Sequence, residues 1–178
     1  MFPFFLIVLA FALDRLSKWW ATAYLVDQGP TQLHPLLLLY PTYNRGVAFG
    51  LAQGIGPIVG WLSIIVVLGL LIYLRRLPRT MWLMRAGLAL LIGGALGNLV
   101  DRITAGQVLD FIATPFRPGV FNIADVMIYA GVFMSLAGAF LQRGGASAAV
   151  GVDEAEVILA DGAVAAERSD GEERGVSF

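Results

Sequence analysis

Long apolar segments alternate with polar connections along most of the chain. They run about 2–20, 57–74, 83–100 and 123–141. Each is close to the ~20 residues with which a helix crosses ~30 Å of hydrocarbon. The pattern therefore predicts an all-α membrane protein with four transmembrane helices, contained in a single domain of residues 1–143.

The two longer connections are predicted to lie on one side of this bundle. Residues 26–56 contain three prolines, the β-prone run Leu36–Tyr40 and the stretch Tyr43–Leu51. They predict a small outer element that contains strands. Residues 103–121 end in turn-forming proline and glycine residues and are predicted to be a second outer loop.

Composition agrees with a membrane protein and divides the chain into two parts. Apolar residues make up 58% of the sequence and the mean hydropathy is +0.76, which favours the membrane class. Residues 1–143 carry ten Lys and Arg against five acids, whereas residues 144–178 carry two against eight. The second part is rich in Gly and Ala and is predicted to be a mobile acidic tail, with binding to a basic partner as the alternative.

Clustered arginines indicate the orientation of the bundle. Four of them occur in and beside the short link between the second and third segments: Arg75, Arg76, Arg79 and Arg85. Because cytoplasmic loops are enriched in positive charge, this link and both termini are predicted to be cytoplasmic. A cleaved signal peptide ending near Ala21-Thr22-Ala23 is the alternative for the first segment. It is disfavoured because a basic leading region is missing and charges interrupt the apolar run.

Several kinds of chemistry are excluded by residue type. The chain has no cysteine, so it has no disulfide, thiol nucleophile or cysteine metal site. Its single histidine, His34, cannot form an HExxH zinc site, and no serine lies in a GxSxG motif.

The acids of the apolar region are the candidate functional residues. Residues 1–143 contain no glutamate and only five aspartates: Asp14, Asp27, Asp101, Asp110 and Asp125. A charge at the centre of a membrane helix costs roughly 2.5–3.5 kcal/mol, so such a residue is usually functional. Asp27 is interpreted as an ordinary loop acid.

Counting along the helices places the other aspartates at one depth. At about 1.5 Å per residue, Asp14, Asp101 and Asp125 lie roughly 20, 24 and 27 Å above the inner membrane surface. Asp110 follows Asp101 by nine residues in the outer loop and can reach the same level. The candidate site is therefore predicted at the outer edge of the membrane.

Spacing separates these aspartates into two kinds. Asp14 can pair with Lys18, and Asn98 with Arg102, because residues four apart share one face of a helix; Asp101 lies alongside. These charges are interpreted as architectural. Asp110 and Asp125 differ, because neither has a basic residue within four positions. They are candidates for chemistry; the alternatives are an exposed loop acid and a helix N-terminal charge favoured by the dipole.

Two carboxylates brought together can hydrolyse a peptide bond. At a separation of ~4 Å, ionising both costs about 4 kcal/mol at an effective dielectric constant of ~20, so one carboxyl keeps its proton near neutral pH. In aspartic proteases the ionised partner takes a proton from water while the protonated one donates to the scissile carbonyl. No metal or other cofactor is expected for this mechanism.

Four motifs carry a family resemblance. They are DRLSK at 14–18, NRGVAFG at 44–50, GGALGNLVDR at 93–102 continuing into GQVLDF at 106–111, and FNIAD at 121–125. In this order, over about residues 1–143, they resemble the motifs of bacterial lipoprotein signal peptidase, also called signal peptidase II.

The resemblance implies a set of site residues. The catalytic dyad would be Asp110 and Asp125. Substrate binding would involve Asn44, Gly46 and Arg102, although Gly46 alternatively supplies only a turn. The residues that would support the site are Asp14, Lys18, Asn98, Asp101 and Asn122. Gly93 and Gly97 are interpreted as helix-packing residues.

The resemblance also implies an activity and a location. The enzyme would cleave a prolipoprotein on the amino side of its diacylglyceryl-modified cysteine, at the outer face of the bacterial cytoplasmic membrane, under a β-cradle formed by the first outer element. Membrane lipid, and a cyclic peptide antibiotic of the globomycin type as inhibitor, are further expected partners; nucleic acid is not. The alternatives are a small transporter or ion-pathway protein that uses the same polar cluster and a purely structural membrane scaffold.

Overall fold

The computed structural model describes residues 1–46 and 56–141, and this part of the chain forms four helices and a small antiparallel sheet. The elements are α1 (Phe2–Tyr24), β1 (Thr31–His34), β2 (Leu37–Asn44), α2 (Gly56–Arg76), α3 (Trp82–Ala105), β3 (Val108–Thr114), β4 (Arg117–Phe121) and α4 (Ile123–Leu141). The predicted acidic tail of residues 144–178 and positions 47–50 of the second motif lie outside the described residues.

Within the described part, three helices are long and apolar enough to cross a membrane. They are α2 from Ile58, α3 and α4. The first helix is 23 residues long but carries three charged residues, Asp14, Arg15 and Lys18. Four transmembrane spans are therefore not confirmed. The fold establishes a mostly helical membrane protein with three candidate spans.

The helices extend past the predicted apolar segments. The first continues to Tyr24 and the third to Ala105, because backbone hydrogen bonding does not stop where hydropathy falls. The additional turn of α3 includes Asp101 and Arg102, which therefore lie on a rigid helix rather than in a loop.

The sheet is antiparallel in the order β1-β2-β3-β4. The first outer element supplies β1 and β2, as predicted. The second outer connection was predicted as a loop, which is wrong: it forms the hairpin of β3 and β4. Val108, Leu109, Asp110 and Phe111 are all buried, so this strand lacks the alternation of polar and apolar residues that marks a half-exposed strand.

Two apolar clusters hold these elements together. In the bundle, Ile7 of α1 packs with Val67 of α2 and Ile92 of α3. At the other end of α1, Ala21 and Leu25 pack with sheet residues, namely Leu39, Leu109 and Phe111. The sheet is thus fixed against α1 near the end of α3, where the polar residues of the bundle are found.

Close helix contacts depend on glycines of α3. A Cβ at Gly93 would be 2.6 Å from Ala10 Cβ, and one at Gly94 would be 2.5 Å from the backbone oxygen of Ala124. A Cβ at Gly97 would be 2.2 Å from Asp14 Oδ2. Small residues of this kind let membrane helices approach closely. Here they bring α1 and α4 against α3.

The variant Gly94→Ala is expected to lower the stability of the bundle. The added methyl group meets a backbone oxygen of α4, which cannot move aside without shifting the helix, and overpacking of this kind costs about 1–3 kcal/mol. Gly69→Ala is the matched control, because a Cβ at Gly69 has no neighbour within 4 Å. Thermal unfolding in detergent should show a lower midpoint for Gly94→Ala only. Equal midpoints for the two variants would contradict the close α3–α4 packing.

Candidate active site

Asp110 reaches the site through the turn that follows α3. That helix ends at Ala105 and is capped by Gly106, which has φ +68° and donates its N–H to Arg102 O. Only glycine adopts this left-handed conformation readily. The chain then enters β3, where Asp110 pairs with Thr42 of β2. The carboxyl group is buried, with the whole residue 3% exposed, so the interpretation as an exposed loop acid is wrong.

Amide side chains hold the Asp110 carboxyl from two elements. Asn44 Nδ2 on β2 donates to Oδ2 at 3.1 Å, and Asn122 Nδ2 before α4 donates to Oδ1 at 2.6 Å. Asn44 lies diagonally across the strand pair on the same face as Asp110, within reach of a side-chain hydrogen bond.

Asp125 lies in the first turn of α4 and takes part in its cap. Asn122 Oδ1 accepts the Asp125 N–H at 3.0 Å, and Asp125 Oδ2 accepts the Asn122 N–H at 3.4 Å. This reciprocal pair has the geometry of a capping box. It fixes the Asp125 side chain at the start of the helix, where the dipole favours a negative charge.

An asparagine bridge, formed by Asn98 and Asn122, connects the two aspartates. Asn98 Nδ2 donates to Asp125 Oδ1 at 3.0 Å, and Asn122 Nδ2 donates to Asn98 Oδ1 at 3.1 Å in addition to its bond to Asp110. Lys18 Nζ also donates to Asn98 Oδ1, at 2.8 Å. Because two donors meet this oxygen, the NH₂ group of Asn98 must point toward Asp125.

Buried ion pairs lie beside the asparagine bridge. Lys18 Nζ is 2.9 Å from Asp14 Oδ2 and 2.7 Å from Asp101 Oδ2. Asp101 also pairs with Arg15. The other oxygen of Asp14 accepts the N–H of Ala124 at 3.0 Å, so Asp14 joins α1 to the start of α4 and satisfies one of its unpaired N–H groups.

One difference from the expected pairing concerns Arg102. Spacing predicted a bond to the Asn98 side chain, but Arg102 donates to the Asn98 backbone oxygen at 3.3 Å and to Gly46 O at 3.4 Å. The Asn98 amide is turned toward α1 and α4, a choice that spacing within one helix cannot reveal. Gly46 in turn donates its N–H to Asn44 Oδ1 at 2.9 Å.

A cavity of about 250 Å³ opens over the two aspartates. Asp110 and Asp125 line it together with Asn44, Asn98 and Arg102. Gly46 is buried. Val59 and Ser63 of α2 also belong to the lining. The lining thus combines several polar side chains with apolar ones, a composition typical of ligand sites.

Burial and charge act together on Asp110. Its pKa is raised from 3.8 to about 6, chiefly by burial and next by the negative charge of Asp125, while the hydrogen bonds from Asn44 and Asn122 lower it. A carboxyl group of this kind can hold or release a proton near neutral pH, which suits general acid and base catalysis.

Comparisons with known proteins agree with this geometry. A family model described as Signal peptidase (SPase) II matches residues 6–141. The chain belongs to the signal peptidase II family. A lipoprotein signal peptidase of Geobacillus thermodenitrificans is 37% identical over 127 residues, which cover 69% of this chain and 79% of the relative. One of Methylorubrum extorquens is 41% identical over 130 residues, which cover 68% and 75%.

Solved structures give the same picture for the fold. Two structures described as bacterial membrane enzymes studied by the in meso method are each 26% identical to this chain. The first has a TM-score of 0.70 and covers 80% of this chain and 88% of its own; the second has a TM-score of 0.69, with 77% and 91%. As a signal peptidase II, the chain is an aspartic-type peptidase, and the transporter alternative has no support.

Nearly all residues predicted for the site belong to one connected network. Asp14, Lys18 and Asp101 lie behind the asparagine bridge, and Asp110 and Asp125 lie in front of it. Sequence reasoning missed Arg15, which pairs with Asp101. Counting charges could have predicted this pair. Residues 14–18 of α1 contain two cations but only one acid, while Asp101 on α3 had no assigned partner.

Removing the central cation of the ion pairs is expected to be strongly destabilising. Lys18→Met would leave Asp14 and Asp101 buried with one cation fewer, and breaking a buried pair costs about 3–5 kcal/mol. Arg15→Met is the matched control, because the Arg15 side chain is 34% exposed and Asp101 keeps Lys18. Unfolding in detergent should therefore show a clearly larger loss for Lys18→Met. The assignment of Lys18 as the central cation would be wrong if Arg15→Met were the more damaging change.

Proposed function

We propose that this protein is a membrane-embedded aspartic endopeptidase that removes the signal peptide from diacylglyceryl-modified prolipoproteins. Cleavage is on the amino side of the lipidated cysteine. The observation that carries the proposal is the single cavity into which Asp110 and Asp125 both project, joined by the asparagine bridge. Relatives named lipoprotein signal peptidase support the choice of substrate.

Asp110 and Asp125 act as one titrating unit that holds a single proton. The ionised carboxylate removes a proton from water, which attacks the scissile carbonyl, while the protonated carboxyl donates to the carbonyl oxygen. Asp125 accepts hydrogen bonds at both of its carboxyl oxygens, from Asn98 Nδ2 and from the Asn122 N–H. The raised pKa of Asp110 makes it the partner that keeps the proton.

Asn44, Gly46 and Arg102 bind the substrate backbone beside this pair. They are already linked to one another by hydrogen bonds, which keeps them in place before the peptide arrives. Arg102 Nε is buried and has no hydrogen-bond partner among residues 1–46 and 56–141. That N–H therefore remains available to a carbonyl of the substrate or to the developing oxyanion.

In the proposed membrane arrangement α1 is a fourth span. Two of its three charged residues, Asp14 and Lys18, are 0% and 3% exposed and are turned into the bundle rather than toward lipid. The third, Arg15, is 34% exposed and pairs with Asp101 of α3. The arginines of the α2–α3 link would face the cytoplasm together with both termini and the acidic tail. The peptidase domain of residues 1–143 would then present its cavity at the outer face of the bacterial cytoplasmic membrane.

This location suits the substrate and a class of inhibitor. The acyl chains of a lipidated prolipoprotein remain in the bilayer, so the scissile bond reaches the depth of the lipid headgroups, where water is available. Membrane lipid is accordingly a second partner. A cyclic peptide of the globomycin type would inhibit by occupying the cavity in place of the scissile segment.

The variants Asp110→Asn and Asp125→Asn are each expected to abolish cleavage of a lipidated prolipoprotein. Neither amide can take a proton from water or share one across the pair. Asp27→Asn is the matched control, because Asp27 is exposed in the turn after α1 and should retain full turnover. Cleavage would be followed by release of the signal peptide in detergent or bilayer, with unfolding midpoints measured for all variants. Near-full turnover by either dyad variant would disprove the assignment.

Activity is expected to fall as the pH rises above about 6. Loss of the shared proton removes the group that donates to the carbonyl, and the pKa of Asp110 is raised to about 6. The Asn44 hydrogen bond lowers this pKa, so Asn44→Leu should move the alkaline limb of the kcat/KM profile to higher pH. A limb that stays in place, or moves to lower pH, would count against Asp110 as the group that holds the proton.

A further inference from the structure

The hairpin and α4 are also connected by Arg117 and Tyr129, in addition to the asparagine bridge. Arg117 on β4 donates from Nη2 to the Tyr129 hydroxyl at 3.1 Å. Its Cζ lies 5.0 Å from the centre of the Tyr129 ring and 4.6 Å from the centre of the Phe121 ring. At these distances a guanidinium group is attracted to the face of an aromatic ring.

This connection spans a corner of the backbone. Between β4, which ends at Phe121, and α4, which begins at Ile123, only Asn122 belongs to neither element. Arg117 starts on the strand side and Tyr129 lies on the helix side, so their contact closes the corner. Arg117 thereby links β4 to the helix that carries Asp125. Since β4 pairs with β3, the strand of Asp110, the contact connects the elements that hold the two aspartates.

Arg117 and Tyr129 also lie at the catalytic cavity. Both line it together with Asp110 and Asp125. Tyr129 follows Asp125 by four residues, so the two side chains share one face of α4. A change in the angle between β4 and α4 would therefore alter the distance between the two carboxyl groups.

We propose that Arg117 and Tyr129 are positioning residues that brace the corner between β4 and α4 and so set the separation of Asp110 and Asp125. The proposal rests on the proposed function, because it assigns the brace to the same catalytic pair. The asparagine bridge attaches the hairpin to the start of α4. The contact between Arg117 and Tyr129, here called the brace, attaches it one turn further along the helix. Two attachment points define the angle between hairpin and helix, whereas one leaves it free to change.

Arginine and tyrosine suit this role because of their geometry. A guanidinium group is planar, so it can lie against a ring while its edge donates a hydrogen bond, and lysine cannot do both. The tyrosine ring is rigid, and its hydroxyl group provides the acceptor. Each side chain thus restricts the other in distance and in orientation.

The test uses changes at Tyr129 that leave the charge of the cavity unaltered. Tyr129→Leu removes both the ring and the hydroxyl, and Tyr129→Phe removes only the hydroxyl. Tyr73→Leu is the matched control, because Tyr73 is an exposed residue of α2 outside the cavity lining. The full-length protein is assayed on a lipidated prolipoprotein over a range of pH.

For Tyr129→Leu we expect kcat to fall by about tenfold or more, since small displacements of catalytic groups have effects up to ~100-fold, with little change in KM. The alkaline limb of the kcat/KM profile should move to lower pH. Without the contact Asp125 lies farther from Asp110, so its negative charge raises the Asp110 pKa less. The charged groups around Asp110 in this variant are Asp125 from α4, Lys18 from α1, Arg102 from α3 and Arg117 from β4. Tyr129→Phe should show the same changes to a smaller extent, and it preserves packing if the leucine variant does not fold.

Two results would overturn the proposal. One is a raised KM for Tyr129→Leu with an unchanged alkaline limb of the pH profile, which would mean that Arg117 and Tyr129 contact the substrate instead of positioning the two aspartates. Kinetics equal to those of Tyr73→Leu would mean that the contact has no role in catalysis. Failure of the proposed function is distinct, because the unaltered protein would then not cleave the lipidated substrate at all.

A double-mutant cycle provides an independent check. Arg117→Lys keeps the positive charge but loses the planar contact, so it should lower kcat about as much as Tyr129→Leu. The double variant should be no slower than the single ones, because each change already breaks the same brace. If the two single changes lowered kcat by strictly additive free energies in the double variant, Arg117 and Tyr129 would not act through the same contact.

Discussion

The proposed mechanism requires that two carboxyl groups sharing one proton be held together without being neutralised, and this requirement accounts for most of the polar architecture. A lysine or arginine paired with either aspartate would hold it in place but would also lower its pKa and release the proton. Asparagine donates a hydrogen bond without bringing a charge. The salt bridges between described residues accordingly involve Asp14 and Asp101, whereas Asp110 and Asp125 are held by amides.

The ion pairs behind the asparagine bridge serve a different purpose. The ion-pair group contains two charges of each sign, from Asp14 and Asp101 and from Arg15 and Lys18. It therefore adds little net charge beside the proposed catalytic pair. Its value is geometric: Lys18 determines which way the Asn98 amide points, and Asp14 holds the start of α4. Such contacts need helices that lie unusually close together. The glycines of α3 provide this closeness, and Gly97 leaves the space that the Asp14 carboxyl occupies.

How far the sequence predicts this site depends on how local each interaction is. Counting along helices placed Asp14, Asp101 and Asp125 at one depth, and the structure joins them through a continuous set of contacts. Spacing also identified the pair of Asp14 and Lys18, which lies within one helix. It could not orient the Asn98 amide, whose partners come from α1 and from the region of Asn122. Contacts across helices depend on rotation about each helix axis, and a single sequence with apolar residues on every side of its helices does not fix that rotation.

The strands show the same limit for a different reason. Predicting β3 would have required a buried strand to be distinguished from a short apolar loop, and periodicity is absent when both faces are covered. Asp110 was therefore expected in an outer loop, although it lies on β3, an inner strand of the sheet. This difference matters for the chemistry. A carboxyl on a loop could move away from Asp125 to relieve repulsion, whereas one held by β2, β4 and two amides cannot. In the proposed mechanism the repulsion is relieved by keeping a proton instead.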